Sequence, residues 1–466
     1  MKWSRRHLSD GKAYVFYSQF VPLVARGFFR KIYLHRIREL DAERPILLAS
    51  NHPTAFLEPI VMGAFAAPPL YNMTRGDLFA KPIFYKLMRG FNMFPVFRLR
   101  DGYRHSDRND AVFEYCIGKL QEGKIVTIYV EGEHHADRRV KPVQKGIARI
   151  AFEACHKHGL RNMAIVPAGA NFRYGDRYRD YVMINFGDPI ALDDYADLYA
   201  SDPGAAMLRL TRDLHAALKA LCLHVEDPDD DELAERLLEL HRNATDKPAL
   251  PIVRHGDKWF RAEKAITDRL NELPLHRREA LREAAAAYFE GLKREELDDE
   301  GLYNRRRFLA LKRVVFLTLG FPLFAAGFLL RAPIAYAFDY VIRTKIKKRE
   351  FKSSVLFALH LLVSPLYYIA LILAAAFTAN PYIVAAALAA PLLGWISVSY
   401  REVWREFFDA LKATLHPQRD AYLTMREQVW ELFEKGVEDG DVLVEAYVLR
   451  DMWVGFAGRA GDALGR

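Results

Sequence analysis

The feature that most constrains this chain is a run of 46 residues, 355–400, that contains no Asp, Glu, Lys or Arg. His360 is its only side chain that titrates near neutrality, and Asn380-Pro381 interrupts the run near its middle. A helix that spans a membrane needs about 20 apolar residues, so the run predicts two helices that form a hairpin through a bilayer. The alternative is a large buried core of helices in a soluble protein.

A second apolar block, residues 314–330, is uncharged over 17 positions and continues beyond Arg331 to Ala337. Basic clusters flank the two blocks in three places: Arg305, Arg306 and Arg307 with Lys312 and Arg313; residues 343–349; and Arg401 with Arg405. Because positive charge stays on the cytoplasmic side of a membrane, all three flanks are expected on that side. The first block must then turn back near residues 320–322 or 332–333, as a re-entrant or hairpin element.

The composition favours an anionic partner. The 466 residues carry a net charge of +8 and a pI of about 9.1, which suits a membrane surface, phosphate groups or nucleic acid. Nucleic acid is not expected, because the basic residues flank apolar runs and are not interleaved with aromatic residues. Cys116, Cys155 and Cys222 are too widely spaced for a disulfide framework or a Cys-x-x-Cys metal site. Two histidine pairs, His134-His135 and His156/His158, lack carboxylates or cysteines at the spacing that a metal site needs. No metal and no cofactor are therefore predicted.

The pattern divides the chain into five segments. Residues 1–40 mix apolar and basic residues at nearly helical spacing, which predicts either an amphipathic helix at a membrane interface or an ordinary packing helix. Residues 41–225 alternate strand and helix patterns, and residues 226–307 predict a helical insert rich in Ala, Leu, Glu and Arg. Residues 308–400 form the membrane region, and residues 401–466 are expected to form an amphipathic tail on the cytoplasmic side.

The alternation within residues 41–225 predicts an α/β domain with a mixed sheet flanked by helices. Apolar runs bounded by turn residues predict strands at 45–50, 94–97, 125–130, 164–168 and 181–186. Helical spacing of apolar residues predicts helices over 58–67, 107–122, 144–158 and 204–222. The expected fold class is therefore α/β, with a helical insert and a C-terminal helical membrane region.

A histidine and a carboxylate follow the first predicted strand. Asn51-His52-Pro53 comes directly after the apolar run, and Glu58 lies where the next helix begins. Open α/β sheets carry their sites at this end of their strands. An imidazole there can take a proton from a hydroxyl, while the carboxylate fixes its tautomer and stabilises the imidazolium. The alternative is a capping loop in which both side chains only satisfy main-chain groups.

Two later stretches carry chemistry at comparable positions. Arg98 and Arg100 follow the second predicted strand, and guanidinium forks bind phosphate oxygens through short paired contacts. Glu131-Gly132 follows the third predicted strand. Lys145 lies at the start of the next helix, where main-chain N–H groups favour an anion.

In this order the stretches resemble the four motifs of the glycerolipid O-acyltransferase superfamily, which includes lysophosphatidate and glycerol-3-phosphate acyltransferases. The family's first motif is Asn-His with a downstream Asp, and Asn51, His52 and Glu58 stand in those places. The remaining motifs are an Arg for the acceptor phosphate, a Pro-Glu-Gly run and a strand ending in Val-Pro, matched here by Arg98, by Val130-Glu131-Gly132 and by Val166-Pro167. Over about residues 10 to 225 the chain looks most similar to the glycerol-3-phosphate or dihydroxyacetone-phosphate acyltransferases of yeast type and their bacterial relatives.

The chain departs from this family pattern in two places. The carboxylate of the first motif is Glu58 and not Asp, so a longer side chain must reach the imidazole. The third motif has Glu133-His134 where the family has Thr-Arg, which removes one phosphate ligand that Lys145 or Arg138 could replace. Both departures leave room for an acceptor other than glycerol 3-phosphate.

The resemblance implies that residues 41–225 are the acyltransferase domain of a membrane-bound enzyme of phospholipid biosynthesis. His52 would deprotonate the hydroxyl of a phosphorylated glycerol, which attacks the thioester of acyl-CoA or acyl carrier protein, and Glu58 would orient His52. The residues expected to bind substrate are Arg98, Arg100, Glu131, Gly132, Lys145 and Pro167. Besides the thioester co-substrate no cofactor is implied, and membrane lipids are the other expected partners.

The expected location is a bacterial inner membrane, with the catalytic domain on its cytoplasmic face. An alternative within enzymes is acylation of lysophosphatidate or of an aminolipid. An alternative of another class is a catalytically silent membrane protein that binds lipid, a reading that the replacement of Asp by Glu58 invites.

Overall fold

The computed structural model of the chain describes residues 12–37, 40, 44–76, 82–96, 106–245 and 250–434. The chain forms two compact units, each assembled from separate stretches. The first unit comprises Met1–His224, Lys247–Asp257 and Thr318–Arg401. The second comprises Val225–Asp246, Lys258–Leu317 and Glu402–Arg466.

The described residues of the first unit form nine strands in one sheet: β1 (Lys31–His35), β2 (Ile46–Ser50), β3 (Leu70–Arg75), β4 (Met93–Val96), β5 (Ile125–Tyr129), β6 (Ala164–Phe172), β7 (Tyr181–Phe186), β8 (Ile190–Ala191) and β9 (Val253–His255). Their order across the sheet is β4-β3-β5-β2-β6-β7-β1-β9, and β8 pairs with β6. The strands from β4 to β6 in this order are parallel. β7 is antiparallel to β6 and parallel to β1, so the sheet is mixed.

The central strand β2 shows why the core has two halves. All five of its residues are buried, because β5 and β6 flank it and helices cover both of its faces. Side chains alternate across a strand, so Leu47 and Ala49 join one hydrophobic cluster while Ile46 and Leu48 join the other. The first cluster includes α4 (Ser106–Gln121), α5 (Gly146–His156) and α7 (Pro203–Leu221), and the second includes α1 (Lys12–Phe28) and α2 (Leu57–Phe65). The predicted fold class, a mixed sheet flanked by helices, is confirmed.

The predicted strands and helices of residues 41–225 are all present within two residues of their expected bounds, except that β6 continues to Phe172. The remaining helices of this region are α3 (Pro82–Gly90) and α6 (Ala196–Ser201). Strand β1 was not predicted, since it lies in the segment 1–40 for which only a helix was expected. Its first four residues are all buried, so it lacks the alternation that marks a half-exposed strand and continues the apolar pattern of α1.

Helix α1 packs against α2 through its aromatic residues. The Tyr14 hydroxyl donates to the Gly63 carbonyl at 3.2 Å, and the Tyr17 hydroxyl donates to the Ile60 carbonyl at 2.5 Å. Pro22 lies inside the helix without ending it. On this face α1 is the ordinary packing helix of the two predicted alternatives, and a role at a membrane interface stays a prediction.

Among the described residues, three helices are long and apolar enough to cross a membrane: α13 (Leu311–Lys345), α14 (Arg349–Phe377) and α15 (Pro381–Leu415). The loop between α14 and α15 contains Asn380, where the sequence predicts the break between two helices. Few of the apolar side chains in these helices are buried within the fold, and many are fully exposed. Large exposed apolar faces of this kind are typical of helices surrounded by lipid.

The first apolar block differs from the expectation of a re-entrant or hairpin element. Residues 311–345 form one continuous helix that contains both Pro322 and Pro333. Each proline removes one main-chain hydrogen-bond donor. In an apolar segment a continuous helix still makes more main-chain hydrogen bonds than a bent one would, so the helix continues through both prolines. The argument that placed all three basic flanks on one side of a membrane therefore loses its structural basis.

The described residues of the second unit are helical, whereas Lys247–Asp257, within the range 226–307 predicted as a helical insert, belongs to the first unit and contributes β9 to its sheet. The helices of the second unit are α8 (Asp231–Ala244), α9 (Lys258–Glu272), α10 (Leu275–Arg294), α11 (Asp299–Tyr303), α12 (Arg305–Phe308) and α16 (Arg419–Glu434). A buried polar group organises them: Asp299 accepts hydrogen bonds from Asn243, Tyr288 and Arg426. Arg426 comes from the stretch predicted as a separate tail, so described residues of that stretch belong to the same unit as the insert.

Candidate active site

Three of the sequence motifs meet at one edge of the sheet. Parallel pairing places Ser50, the last residue of β2, opposite Tyr129 of β5 and opposite Ala168 of β6. His52 and Glu131 each follow their strand by two residues, so the two loops that carry them are neighbours. The alternation of strands and helices in the sequence therefore predicts correctly that these loops lie at the same edge of the sheet.

His52 and Glu58 form the hydrogen-bonded pair that the first motif predicts. The His52 Nδ1 contacts Glu58 Oε1, and the Glu58 side chain is completely buried. Glu58 lies in the first turn of α2, and this position lets the longer side chain reach the imidazole. The Thr54 hydroxyl donates to the other carboxylate oxygen of Glu58 and accepts the main-chain N–H of Leu57 at 3.1 Å. Both oxygens of Glu58 are thus held in place.

The His52 ring lies between two other rings. It stacks on Tyr129 with 4.4 Å between ring centroids, and the His134 ring approaches edge-on at 5.7 Å. Burial, together with the charge of Glu58, raises the pKa of Tyr129 well above 10, so this phenol keeps its proton. About 16% of the His52 side chain is exposed. Because Nδ1 is held by Glu58, Nε2 is the nitrogen that remains to take a proton from a substrate.

Glu131 holds the main chain of His52 in place. Its buried carboxylate accepts the main-chain N–H of His52 at 2.9 Å and that of Lys141 at 2.8 Å, and it contacts His135 Nε2 at 3.0 Å. The sequence predicts that Glu131 binds substrate, but a fully buried carboxylate with these donors cannot reach one in this conformation. The structure gives Glu131 a supporting role, which residue spacing alone could not distinguish from substrate contact.

His135 is a partly buried cation between two carboxylates. Its Nδ1 lies 2.9 Å from Asp137 Oδ1, on the opposite side of the ring from Glu131. Burial alone would lower the pKa of His135, but the hydrogen bonds to Asp137 and Glu131 outweigh it and raise that pKa to about 9. The hydrogen bond from His135, aided by Lys141, holds the pKa of Asp137 well below its usual range. The third motif therefore forms a network of ion pairs next to His52.

The other predicted substrate-binding residues divide into three cases. Gly132 has a φ of +75° and donates its N–H to the Tyr129 carbonyl, so it forms the turn after β5. Lys145 is exposed at the start of α5, where an anion contact stays a prediction. Pro167 is buried within β6 opposite Ala49, and a buried strand position gives it a packing role where substrate contact was predicted.

Arg98 and Arg100 lie outside the described residues. Strand β4, which precedes them, ends at Val96. In the sheet order β4 is three strands from β2, which corresponds to roughly 14 Å at about 4.8 Å per strand. A contact between Arg98 and an acceptor phosphate beside His52 stays a prediction.

The start of α14 packs on the loop that carries His52, a contact that no pattern in the sequence predicts. The Glu350 carbonyl accepts the N–H of Ala55 at 3.1 Å, and Ser354 Oγ accepts the N–H of Phe56 at 3.3 Å. Phe351 of the same turn lies edge-on against His134, with 5.0 Å between ring centroids. The first turn of a membrane-length helix is therefore part of the site, joined to it across about 300 residues of sequence.

His134 occupies the space between this helix and His52. Burial and the nearby His52 lower the pKa of His134, and Glu350, whose carboxylate lies 3.8 Å from His134 Nε2, acts in the opposite direction.

In the described part of the chain, one group of residues offers metal-ligand atoms within mutual reach: Glu114, Glu153 and His158. Glu114 of α4 and Glu153 of α5 pair with Lys157, and His158 contacts Glu114 at 3.4 Å, as surface charges commonly do.

A cavity of about 620 Å³, including the part open to solvent, lies beside the dyad. Its wall contains the residues on either side of His52, namely Asn51 and Pro53, although His52 itself is not part of the wall. Asn51 is fixed there because its side-chain amide exchanges two hydrogen bonds with the main chain of Ala170, at 2.8 and 3.0 Å. The arrangement places an oriented base next to a cavity that opens to solvent.

Comparison with known proteins identifies a family that matches this part of the chain. Residues 31–171 match the family model described as Acyltransferase. The chain contains an acyltransferase domain. The match begins at β1 and ends within β6, so it includes His52, Glu58 and Glu131. The predicted family resemblance is confirmed.

The curated relatives of this acyltransferase domain include three yeast proteins. Glycerol-3-phosphate O-acyltransferase 2 of Saccharomyces cerevisiae is 22% identical over 152 residues, which are 32% of this chain and 20% of the relative. An uncharacterized acyltransferase of Schizosaccharomyces pombe is 23% identical over 144 residues, 30% of this chain and 21% of the relative. Glycerol-3-phosphate O-acyltransferase 1 of S. cerevisiae is 28% identical over 92 residues, 19% of this chain and 12% of the relative. The alignments thus span about a fifth or less of each relative's length.

Among solved structures, the chain is similar to the 1-acyl-sn-glycerophosphate acyltransferase PlsC from Thermotoga maritima. The sequence identity is 17% and the TM-score is 0.32. The alignment covers 47% of this chain and 87% of that one.

Proposed function

We propose that this protein transfers a fatty acyl group from a thioester donor, acyl-CoA or acyl carrier protein, to the hydroxyl of a phosphorylated glycerol. The observation that carries the proposal is the His52–Glu58 pair at the carboxyl end of β2, inside the acyltransferase domain. The similarity to yeast glycerol-3-phosphate O-acyltransferases supports the choice of acceptor.

The geometry suits direct transfer without an acyl-enzyme intermediate. The Nε2 of His52 takes the proton of the acceptor hydroxyl while its oxygen attacks the thioester carbonyl carbon. Collapse of the tetrahedral intermediate breaks the carbon–sulfur bond, and the imidazolium returns the proton to the leaving thiolate. The buried Glu58 carboxylate keeps the proton of His52 on Nδ1 before the step and offsets the positive charge during it. Glu131 fixes the main chain of His52, so the base is positioned before substrate arrives.

The same proposal places the reaction at a membrane surface. The α14 helix begins against the His52 loop and is apolar and long enough to cross a bilayer. A site at the end of such a helix lies where a lipid product can leave directly into the membrane. The bacterial inner membrane and a cytoplasmic orientation remain predictions from the sequence.

The test uses the full-length protein in lipid nanodiscs, with radiolabelled acyl-CoA and acyl carrier protein as donors. Glycerol 3-phosphate, dihydroxyacetone phosphate, lysophosphatidate and an aminolipid are compared as acceptors. We expect acylated product with a phosphorylated glycerol, and a loss of at least about 100-fold in His52→Ala. His276→Ala, which removes an exposed histidine of α10, is the matched control and should keep full activity.

The outcomes separate the alternatives. Product with lysophosphatidate alone would replace the acceptor in this proposal but keep the reaction class. Equal activity of His52→Ala and the wild type would contradict the mechanism and favour a lipid-binding protein without catalysis.

A further inference from the structure

The cavity beside the dyad is strongly basic. Four guanidinium groups contribute to its wall: Arg138, Arg139, Arg173 and Arg349. Asp137 is the carboxylate residue in the same wall, and it is already engaged by His135 and Lys141. The wall therefore has a surplus of positive charge, which favours an anionic occupant.

Arg173 is the most enclosed of these cations. Only 7% of the residue is exposed, and its guanidinium carbon lies 4.7 Å from the ring centre of Tyr174 and 5.7 Å from that of Tyr181. Its Nε finds no hydrogen-bond acceptor within the part of the chain that the structure describes. The nearby Asp180 acts on Arg173 only at a distance, because its carboxylate accepts the N–H groups of residues 174, 175 and 181. No hydrogen bond within the described residues engages this Nε, and Arg173 contributes to the cavity wall, so an anion in the cavity would interact favourably with its charge.

Arg349 approaches the same cavity from the first residue of α14. Its Nη2 donates to the Tyr174 carbonyl at 3.1 Å, and its Nε lies 3.3 Å from Asp176 Oδ2. These contacts hold the side chain across the rim while half of it, 53%, remains exposed. Arg349 lies outside residues 31–171, and so does Arg173, so neither belongs to the stretch that matches the acyltransferase family.

We propose that Arg173 and Arg349 bind the phosphate of the acceptor in this cavity, with Arg138 and Arg139 supplying the surrounding positive charge. Planar guanidinium forks match the oxygens of a phosphate monoester and form charge-assisted hydrogen bonds with them, which are about twice as strong as neutral ones. A phosphate held there lies against Asn51 and Pro53, and its glycerol part can extend toward the base between them. The inference rests on the proposed function and deepens it, because it assigns the acceptor's anion to residues other than the predicted Arg98.

The test compares Arg349→Gln and Arg173→Lys with Arg177→Gln. Arg177 is the matched control because it also contacts the Tyr174 ring and Asp176 but is not part of the cavity wall. Initial rates are measured against glycerol 3-phosphate and against acyl-CoA. We expect the KM for glycerol 3-phosphate to rise about tenfold in Arg349→Gln, with the KM for acyl-CoA unchanged and with Arg177→Gln like the wild type. Arg173→Lys keeps the charge but loses the fork, so it should raise the same KM while the protein still folds.

Two results would overturn the assignment. A rise confined to the KM for acyl-CoA would mean that the cavity binds the phosphates of the donor, and acyl-pantetheine, which lacks the nucleotide, would then show no difference between variants. An unchanged KM for both substrates in Arg349→Gln and Arg173→Lys would mean that neither residue binds a substrate phosphate.

A second measurement keeps the inference testable if no acyl transfer is found. Thermal unfolding is followed with inorganic phosphate and with chloride at matched ionic strength. Phosphate should raise the unfolding temperature of the wild type and of Arg177→Gln more than that of Arg349→Gln. Equal effects of phosphate and chloride on the wild type would exclude the anion site, whatever the outcome for activity.

Discussion

Glu131 Oε2 accepts the main-chain N–H of His52 at 2.9 Å, although 79 positions separate the two residues. The same carboxylate holds the N–H of Lys141 and the imidazole of His135. One buried group thus fixes three parts of the site, and the third motif contributes to catalysis by holding the first.

Replacing Glu131 by Ala is expected to lower both stability and turnover. The substitution leaves the protonated His135 with Asp137 as its one remaining carboxylate partner, and it removes the acceptor of two main-chain N–H groups. Breaking a buried ion pair costs about 3–5 kcal/mol. Glu131→Gln keeps an acceptor for His52 and should lose less. Denaturant unfolding and kcat measure the two effects, and a Glu131→Ala protein with wild-type kcat would contradict the supporting role.

Glu58→Gln should reduce kcat by about 100-fold or more while leaving the KM values nearly unchanged. The amide fills the same space but cannot offset the charge of the imidazolium, and it can stabilise the wrong tautomer of His52. Glu58→Asp, with the shorter side chain of the family motif, should fall between the wild type and Glu58→Gln because it reaches less far from the first turn of α2. Full activity of Glu58→Gln would show that the carboxylate charge is not needed.

His135 should make stability depend on pH on the alkaline side. Its pKa rises from 6.5 in the unfolded chain to about 9 in the fold, so the folded state binds the proton more tightly. The stabilisation is complete below about pH 6.5 and is lost as the pH rises through about 9. Unfolding midpoints from pH 6 to 10 measure this, and His135→Asn should flatten the curve in that window. A wild-type profile that is level up to pH 10 would contradict the assignment.

The contact between α14 and the His52 loop should matter for activity more than for folding. Ser354→Ala removes the acceptor of the Phe56 N–H, a loss of about 1 kcal/mol, and loosens the loop next to the base. We expect a several-fold lower kcat with little change in unfolding temperature. Leu362→Ala, at an exposed position of the same helix, is the control and should keep wild-type kinetics. Identical kinetics for both variants would separate α14 from catalysis.

Gly327 is expected to be the least replaceable glycine of the apolar helices. A Cβ at this position of α13 would lie 2.1 Å from the carbonyl oxygen of Leu393 in α15, and a main-chain atom cannot move aside cheaply. Gly327→Ala should therefore lower the unfolding temperature in detergent. Gly118→Ala in α4, where a Cβ meets nothing within 4 Å, should instead raise stability by up to about 1 kcal/mol because alanine is the better helix former. The reverse order would contradict the close approach of α13 and α15.

The sequence predicts those parts of the site that local patterns determine. The run before His52 is apolar from Ile46 to Ala49, as is typical of a central strand, and the parallel strands bring Glu131 to the same edge. The pattern could not show whether Glu131 contacts substrate or supports His52, because both roles place a carboxylate two residues after a strand. Pro167 was assigned to the substrate from its match to the family's Val-Pro motif, although it is buried in β6.

Residues brought in from distant sequence could not be predicted. Phe351 and Ser354 follow a basic cluster at the start of an apolar run, which indicates a membrane helix and nothing about a catalytic loop. Arg173 follows the fourth motif in the sequence, where the pattern assigns it no role, and its burial against Tyr174 and Tyr181 distinguishes it from the other cations of its stretch. The continuous helix over residues 311–345 was missed because two prolines and a symmetric charge pattern favoured a bend.

The position of β1 decides where this protein can be cut. β1 opens the stretch matched by the family model, yet it is hydrogen-bonded between β7 and β9, and both of those strands are encoded after that stretch ends. A gene fragment trimmed to the family boundaries would leave β1 with two open edges and would lack the helix turn that seats the His52 loop. Expression of such a fragment should give aggregated material, and chimeras with related enzymes should exchange the three stretches of the first unit together.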